Sequence, residues 1–251
     1  MTLFETITEL HAGAASLSYP KDIRKVPSPL AGTAFFPGGN GLYLCNKNAD
    51  HSIKYMIVGQ DYDNEDNYQK IKDTENQCEV AGNNVTWRNL LKIIDEAGIA
   101  RQECFFTNAL MGLRSGSTKN TGPSILFKSE NKTDLNQHVA FFRKQIELIK
   151  PKAIIAMGGQ LPRFIGNCYP EDPQLNKLSG IRSFKMLDNL LGKQSFQLPT
   201  VNGFIPIVFI THTSLYYANV GNRMKYESNG SSNGINYERE KLKQLSDSMM
   251  S

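Results

Sequence analysis

Four short apolar runs punctuate an otherwise mixed sequence: Lys54 to Gly59, Cys104 to Thr107, Ala153 to Met157 and Ile205 to Ile210. They are rich in β-branched and aromatic residues and lack the polar alternation of a half-solvated strand, so they read as strands buried on both faces. Such runs, separated by helical patterns, predict a parallel sheet covered by helices on both sides, an α/β fold. One helix is expected over residues 86 to 97, with Thr86 as its candidate cap and Gly98 as its stop. A second runs from Asp134 to Ile149, with Leu135, Val139, Phe142, Ile146 and Ile149 at helical spacing and Pro151 closing it. A third starts after Gly158-Gly159.

Two stretches interrupt this alternation. Gly112 to Thr133 is a run of Gly, Ser, Thr, Asn and Lys too long for an ordinary connection, which suggests function or disorder. Ser228 to Gly234 reads as a flexible linker ahead of an amphipathic helix from Tyr237 to Leu245. The expected organisation is one α/β domain over residues 1–225, then the linker and a C-terminal helix over 226–251. There is no internal repeat.

Composition supports a single large core, because 251 residues with 40% apolar content suffice for one. No apolar run approaches the roughly 20 residues of a membrane span, and Glu5 and Glu9 stand where a signal peptide carries basic residues. The expectation is a cytoplasmic protein with no membrane partner, and a monomer. Cys45, Cys78, Cys104 and Cys168 are widely spaced, without the pairing of a zinc site or a disulfide framework, and read as buried free thiols. The net charge is only +4, but residues 50 to 100 hold ten acids and five bases, whereas 101 to 163 hold ten bases and four acids. That asymmetry permits a polyanionic partner without requiring one.

In an open parallel sheet, ligands bind beyond the carboxyl ends of the strands. Here those ends are polar: Gly59-Gln60-Asp61-Tyr62-Asp63, Thr107-Asn108, Gly158-Gly159 and Thr211-His212-Thr213-Ser214. Singly, Asp61 reads as a turn cap, Asn108 as a loop closure and His212 as a satisfied surface histidine. Jointly they bring a carboxylate, an amide and an imidazole to one rim.

These residues resemble the uracil-DNA glycosylase superfamily. Gly59-Gln60-Asp61 is similar to its first motif, Asn108 to its strand-end asparagine and His212-Thr213-Ser214 to its His-Pro-Ser motif. The stretches Phe105 to Ala109 and Arg143 to Gly158 resemble the iron-sulfur branch of that superfamily, and the likeness spans about residues 53 to 220. It implies a three-layer αβα sandwich around a four-stranded parallel sheet. The branch's cysteine positions fall near Gly112 and His138, so no cluster, no metal and no other cofactor is expected. The family's motif proline is replaced by Tyr62, the next position is Asp63, and Thr213 replaces the second motif's proline.

The resemblance implies hydrolysis of the N-glycosidic bond of uracil or a related damaged base in DNA, single- or double-stranded. Asp61 would stabilise the cationic sugar and orient water, and neutral His212 would donate to the departing base. Asn108 would read the base edge, with Gln60 and Tyr62 beside it and Tyr62 or Tyr68 stacking on the base. Flipping a base out of a duplex needs a wedge, for which Leu215, Tyr216 and Tyr217 are candidates next to Ser214. Arg114, Lys119, Lys128, Arg223 and Lys225 are candidates for phosphate contact. Two other readings stay open: a metal-dependent nucleotide hydrolase or transferase using the acidic run Asp61 to Asp66, and a non-enzymatic nucleic-acid or nucleobase-binding member of the fold.

Overall fold

A computed structural model of the chain describes residues 2–26, 37, 52–72, 84–116, 122–192, 194–223 and 234–249. In chain order the helices are α1 (Leu3–Ala15), α2 (Glu65–Lys72), α3 (Val85–Glu96), α4 (Lys132–Ile149), α5 (Leu161–Cys168), α6 (Phe184–Leu191), α7 (Tyr216–Asn219) and α8 (Gly234–Ser248). The strands are β1 (Ile23–Lys25), β2 (Tyr55–Gly59), β3 (Cys104–Asn108), β4 (Gly112–Arg114), β5 (Ala153–Met157), β6 (Gln197–Thr200) and β7 (Gly203–Ile210).

The four apolar runs form a contiguous parallel array in the order β3-β2-β5-β7. The sheet is not four-stranded, however. A fifth strand, β6, pairs antiparallel with β7 at the edge, making the sheet mixed. This short strand escapes the apolar pattern because only one of its four residues, Leu198, is buried.

Successive residues of the central strands feed opposite faces. Met56 and Val58 of β2, Ile154 and Ala156 of β5, and Ile207 and Phe209 of β7 join one core with α1, α4, α5 and α6. Tyr55 and Ile57, with Ile155 and Met157, join a second core under α3 and α8. Burial on both faces is why these strands show no polar alternation. Truncating a core aromatic such as the buried Phe142 is expected to cost about 3–5 kcal/mol.

Several local features differ from the sequence pattern. Asn84, not Thr86, caps α3, its side chain accepting from the backbone N–H groups of Thr86 and Trp87. The polar stretch after Gly112 is not one long loop: it contains β4, paired antiparallel with β1, and two 3-10 turns over Gly122–Phe127 and Ser129–Asn131. Cys104 and Cys168 are buried free thiols, whereas Cys45, Cys78 and the linker residues 228–233 lie outside the described residues. The C-terminal helix is built into the fold, with Leu242 and Leu245 in the second core. Among the described residues no helix is long and apolar enough to cross a membrane.

Candidate active site

The rim at the carboxyl ends of β2, β3 and β7 is assembled by pairing beyond the strands. Gly59 is in register with Asn108, and the chain continues zipped: Ala109 donates to the Gly59 carbonyl and Leu110 to the Gln60 carbonyl, each at 3.0 Å. Further along, Arg114 N–H donates to the Asp63 carbonyl at 3.0 Å. The segment after the first sheet strand is thereby laid against the segment after the second, and Arg114 comes to lie opposite Asp61 and Asp63.

Its guanidinium bridges both acids. Nε is 3.0 Å from Asp61 Oδ2 and Nη2 is 2.6 Å from Asp63 Oδ1, while the Arg114 and Asp61 side chains keep only 11% and 9% of their exposure. Asp61 Oδ1 also accepts from the Asp63 backbone N–H at 2.9 Å. Asp63 has φ 73°, a left-handed conformation that aspartate tolerates better than most side chains, and it accepts from Asn64 N–H and Asn67 Nδ2, both at 2.8 Å. Arg114 was expected to meet a DNA phosphate; its charge is instead directed inward, because two carboxylates face it.

Gln60 turns toward the end of β5, its Oε1 accepting from the Gln160 backbone N–H at 3.1 Å. Gly158, at φ 117°, makes this approach possible, since a Cβ there would lie 2.6 Å from Gln60 Cδ. Tyr62 is buried in the first core, in an edge-to-face pair with Tyr68 at 6.4 Å. Asn108 is 1% exposed at the end of β3.

His212 follows β7. Its Nδ1 lies 2.7 Å from Ser214 Oγ and accepts from the Ser214 backbone N–H at 3.3 Å. A backbone N–H can only donate, so this geometry assigns the imidazole proton to Nε2. Burial lowers the His212 pKa; Asp63 acts to raise it and Arg114 to lower it, so the imidazole feels the charged group after β2. The backbone is anchored without the family's proline: Thr213 Oγ1 donates to the Thr86 carbonyl at 2.8 Å, and Asn89 Nδ2 donates to the Thr213 carbonyl at 2.8 Å.

The remaining candidates separate. Tyr217 is 61% exposed, but Tyr216 is buried in the second core and is no surface wedge; of Leu215 only the backbone is described. Arg223 is likewise not a surface cation. It is 1% exposed, bound to Asp188 through Nε at 3.1 Å and through Nη2, to Glu238 at 2.6 Å and to the Phe209 carbonyl at 2.8 Å. Lys128 is exposed, and Lys119 and Lys225 lie outside the described residues. Gln160, Asp188 and Glu238 were not foreseen, and Asp63 was read only as part of the first strand exit and its acidic run. The signal for Glu238 was a carboxylate at the same helical spacing as the buried Leu242 and Leu245.

Two other expectations meet their surroundings here. Of the acidic run, Asp61 and Asp63 bind Arg114 and Glu65 binds Arg24, and among the described residues no three His, Cys, Asp or Glu side chains are grouped as metal ligands. Gly112 and His138 do not suit an iron-sulfur cluster. Neither is a thiol, and Tyr19 packs between them: its ring lies 5.5 Å from that of His138, and a Cβ on Gly112 would meet it at 2.9 Å.

A comparison with curated protein sequences finds no match to this chain. The family model of the uracil DNA glycosylase superfamily matches residues 47–228, which is well over half of the chain and contains every strand exit that builds this rim. Gly59-Gln60-Asp61, Asn108 and His212-Thr213-Ser214 therefore stand on the carboxyl ends of an α/β sheet inside the matched span, and the chain belongs to the uracil DNA glycosylase superfamily.

Proposed function

We propose that this protein is a DNA glycosylase that hydrolyses the N-glycosidic bond of uracil or a related damaged base in DNA. The observation that carries this reading is the state of His212: a partly buried imidazole of lowered pKa whose Nδ1 accepts from Ser214, leaving Nε2–H free to donate. As the bond from C1′ to the base nitrogen breaks, its electron pair leaves with the base, and the sugar becomes an oxocarbenium ion. His212 Nε2–H donates to the base oxygen where negative charge collects, without the cost of creating a cation. The Asp61 carboxylate opposes the sugar cation and orients the water whose oxygen bonds to C1′; the water's proton passes to the carboxylate and on to solvent, and the base is protonated from solvent. Asn108 reads the base edge with an amide that accepts from one ring N–H and donates to one carbonyl. Flipping delivers the base, and the exposed Tyr217 suits the wedge.

The test is base release in EDTA from single-stranded and duplex DNA carrying uracil, deaminated purines or alkylated bases. Asp61→Asn and His212→Ala are expected to slow release by about 100-fold or more. DNA binding without release of any base would leave a binding member of the superfamily, and activity lost on chelation would restore the metal-dependent reading.

A further inference from the structure

We infer that Glu238, on the C-terminal helix beyond the span matched to the superfamily, is a positioning residue for His212; this rests on the glycosylase reading of the site. Thr211 immediately precedes His212, and the Glu238 carboxylate holds it twice. Oε1 accepts from the Thr211 backbone N–H at 2.8 Å, and Oε2 accepts from Thr211 Oγ1 at 3.2 Å. On the other side, Thr213 is held by Thr86 and Asn89 at the start of α3. His212 is thus suspended between two anchored threonines, one tied to α3 and the other to α8.

The α8 anchor is itself fixed. Arg223 Nη1 donates to Glu238 Oε1 at 2.6 Å, and Asp188 of α6 holds the same guanidinium, which also faces the Phe184 ring at 4.9 Å and the Tyr237 ring at 5.1 Å. Gly234 begins α8 so close to the turn after α7 that a Cβ there would lie 2.0 Å from the Val220 carbonyl oxygen. Glu238 and Thr211 are fully buried, so solvent does not compete for these bonds. The superfamily match ends at residue 228. A segment outside the matched span therefore sets where the donating Nε2–H of His212 points.

The experiment compares the full-length chain with Glu238→Ala, Thr211→Val and Thr211→Ser. Single-turnover base release at saturating DNA and ¹⁵N NMR of the His212 ring are both recorded. The expected result is a fall of about tenfold in the turnover step for Glu238→Ala and Thr211→Val, with half-saturating DNA unchanged and the ring signals leaving the Nε2–H tautomer pattern. Thr211→Ser, which keeps the hydroxyl, restores both. Wild-type turnover and ring signals in Thr211→Val would overturn the inference, as would a lowered melting temperature with neither readout altered. Should Glu238→Ala fail to fold, Thr211→Val decides the matter, because it leaves the Arg223, Asp188 and Glu238 network intact. Should the wild-type chain release no base, the glycosylase reading fails, and the ring signals still report whether the anchor holds His212.

Discussion

The two halves of the rim are held by arginines in opposite settings. After β2, Arg114 bridges Asp61 and Asp63 at the mouth of the site, where the Asp63 side chain keeps 45% of its exposure. Behind β7, Arg223 joins Asp188 and Glu238 where all three side chains are 0–1% exposed. Both arginines come from polar stretches that invite a phosphate contact, and both fold back onto acids. The difference is solvation: at the mouth Asp63 still reaches water, whereas the buried trio is closed off from it.

The comparison predicts a division of effects, of which the stability of the buried trio is the largest. Arg223→Met leaves two carboxylates buried without their cation and is expected to cost about 3–5 kcal/mol in urea unfolding. Arg114→Met removes the cation from Asp61, which is 9% exposed, but from an Asp63 that still reaches water, so it should cost less, about 1–3 kcal/mol by the same measurement, yet slow base release roughly tenfold by freeing Asp61 from its fixed orientation. Equal destabilisation by the two variants would break the distinction.

The pH dependence sharpens it. His212 has a lowered pKa in the folded protein, chiefly from burial, so the acid limb of the turnover profile should fall below the ordinary histidine value of about 6.5. Arg114→Met removes the charge that lowers this pKa and leaves Asp63, which raises it, so the limb should move upward; a limb that stays put would separate His212 from the charged group. His138 is also lowered by burial, and it donates from Nδ1 to the Asp134 carbonyl. Both histidines stay neutral in the fold while the unfolded chain takes up protons below about pH 6.5. Their contribution is therefore complete above that pH and declines as pH falls toward the folded values, by at most about 1.4 kcal/mol per unit per histidine. Urea midpoints between pH 7.5 and 5.5 measure it.

The smallest expected change in stability is at the exposed wedge. Tyr217→Ala should alter stability by less than about 0.5 kcal/mol while reducing release from duplex DNA more than from single strands. Equal loss on both substrates would remove Tyr217 from the flipping step.

The central strands were legible because burial on both faces writes itself as unbroken apolar runs; β5 begins and ends where its pattern does. Edge strand β6 was not, since it is only four residues long and buries Leu198 alone, too little for an apolar run to show. Asp61, Asn108 and His212 were legible because the direction of a parallel strand fixes which of its ends carries the site. Arg114 and Arg223 were not, because a cation looks the same in sequence whether it faces solvent or a carboxylate 51 or 35 residues away.

The sequence by itself determined the parallel α/β core, the polar strand exits that form the candidate site and the family whose motifs those exits match, since each depends on local pattern and spacing. Only the tertiary structure decided that Arg114 belongs to Asp61 and Asp63, that His212 carries its ring proton on Nε2, and that a C-terminal helix reaches back to hold Thr211. Those facts depend on which distant groups share a buried, low-dielectric space, where an unpaired charge is costly enough to choose its partner.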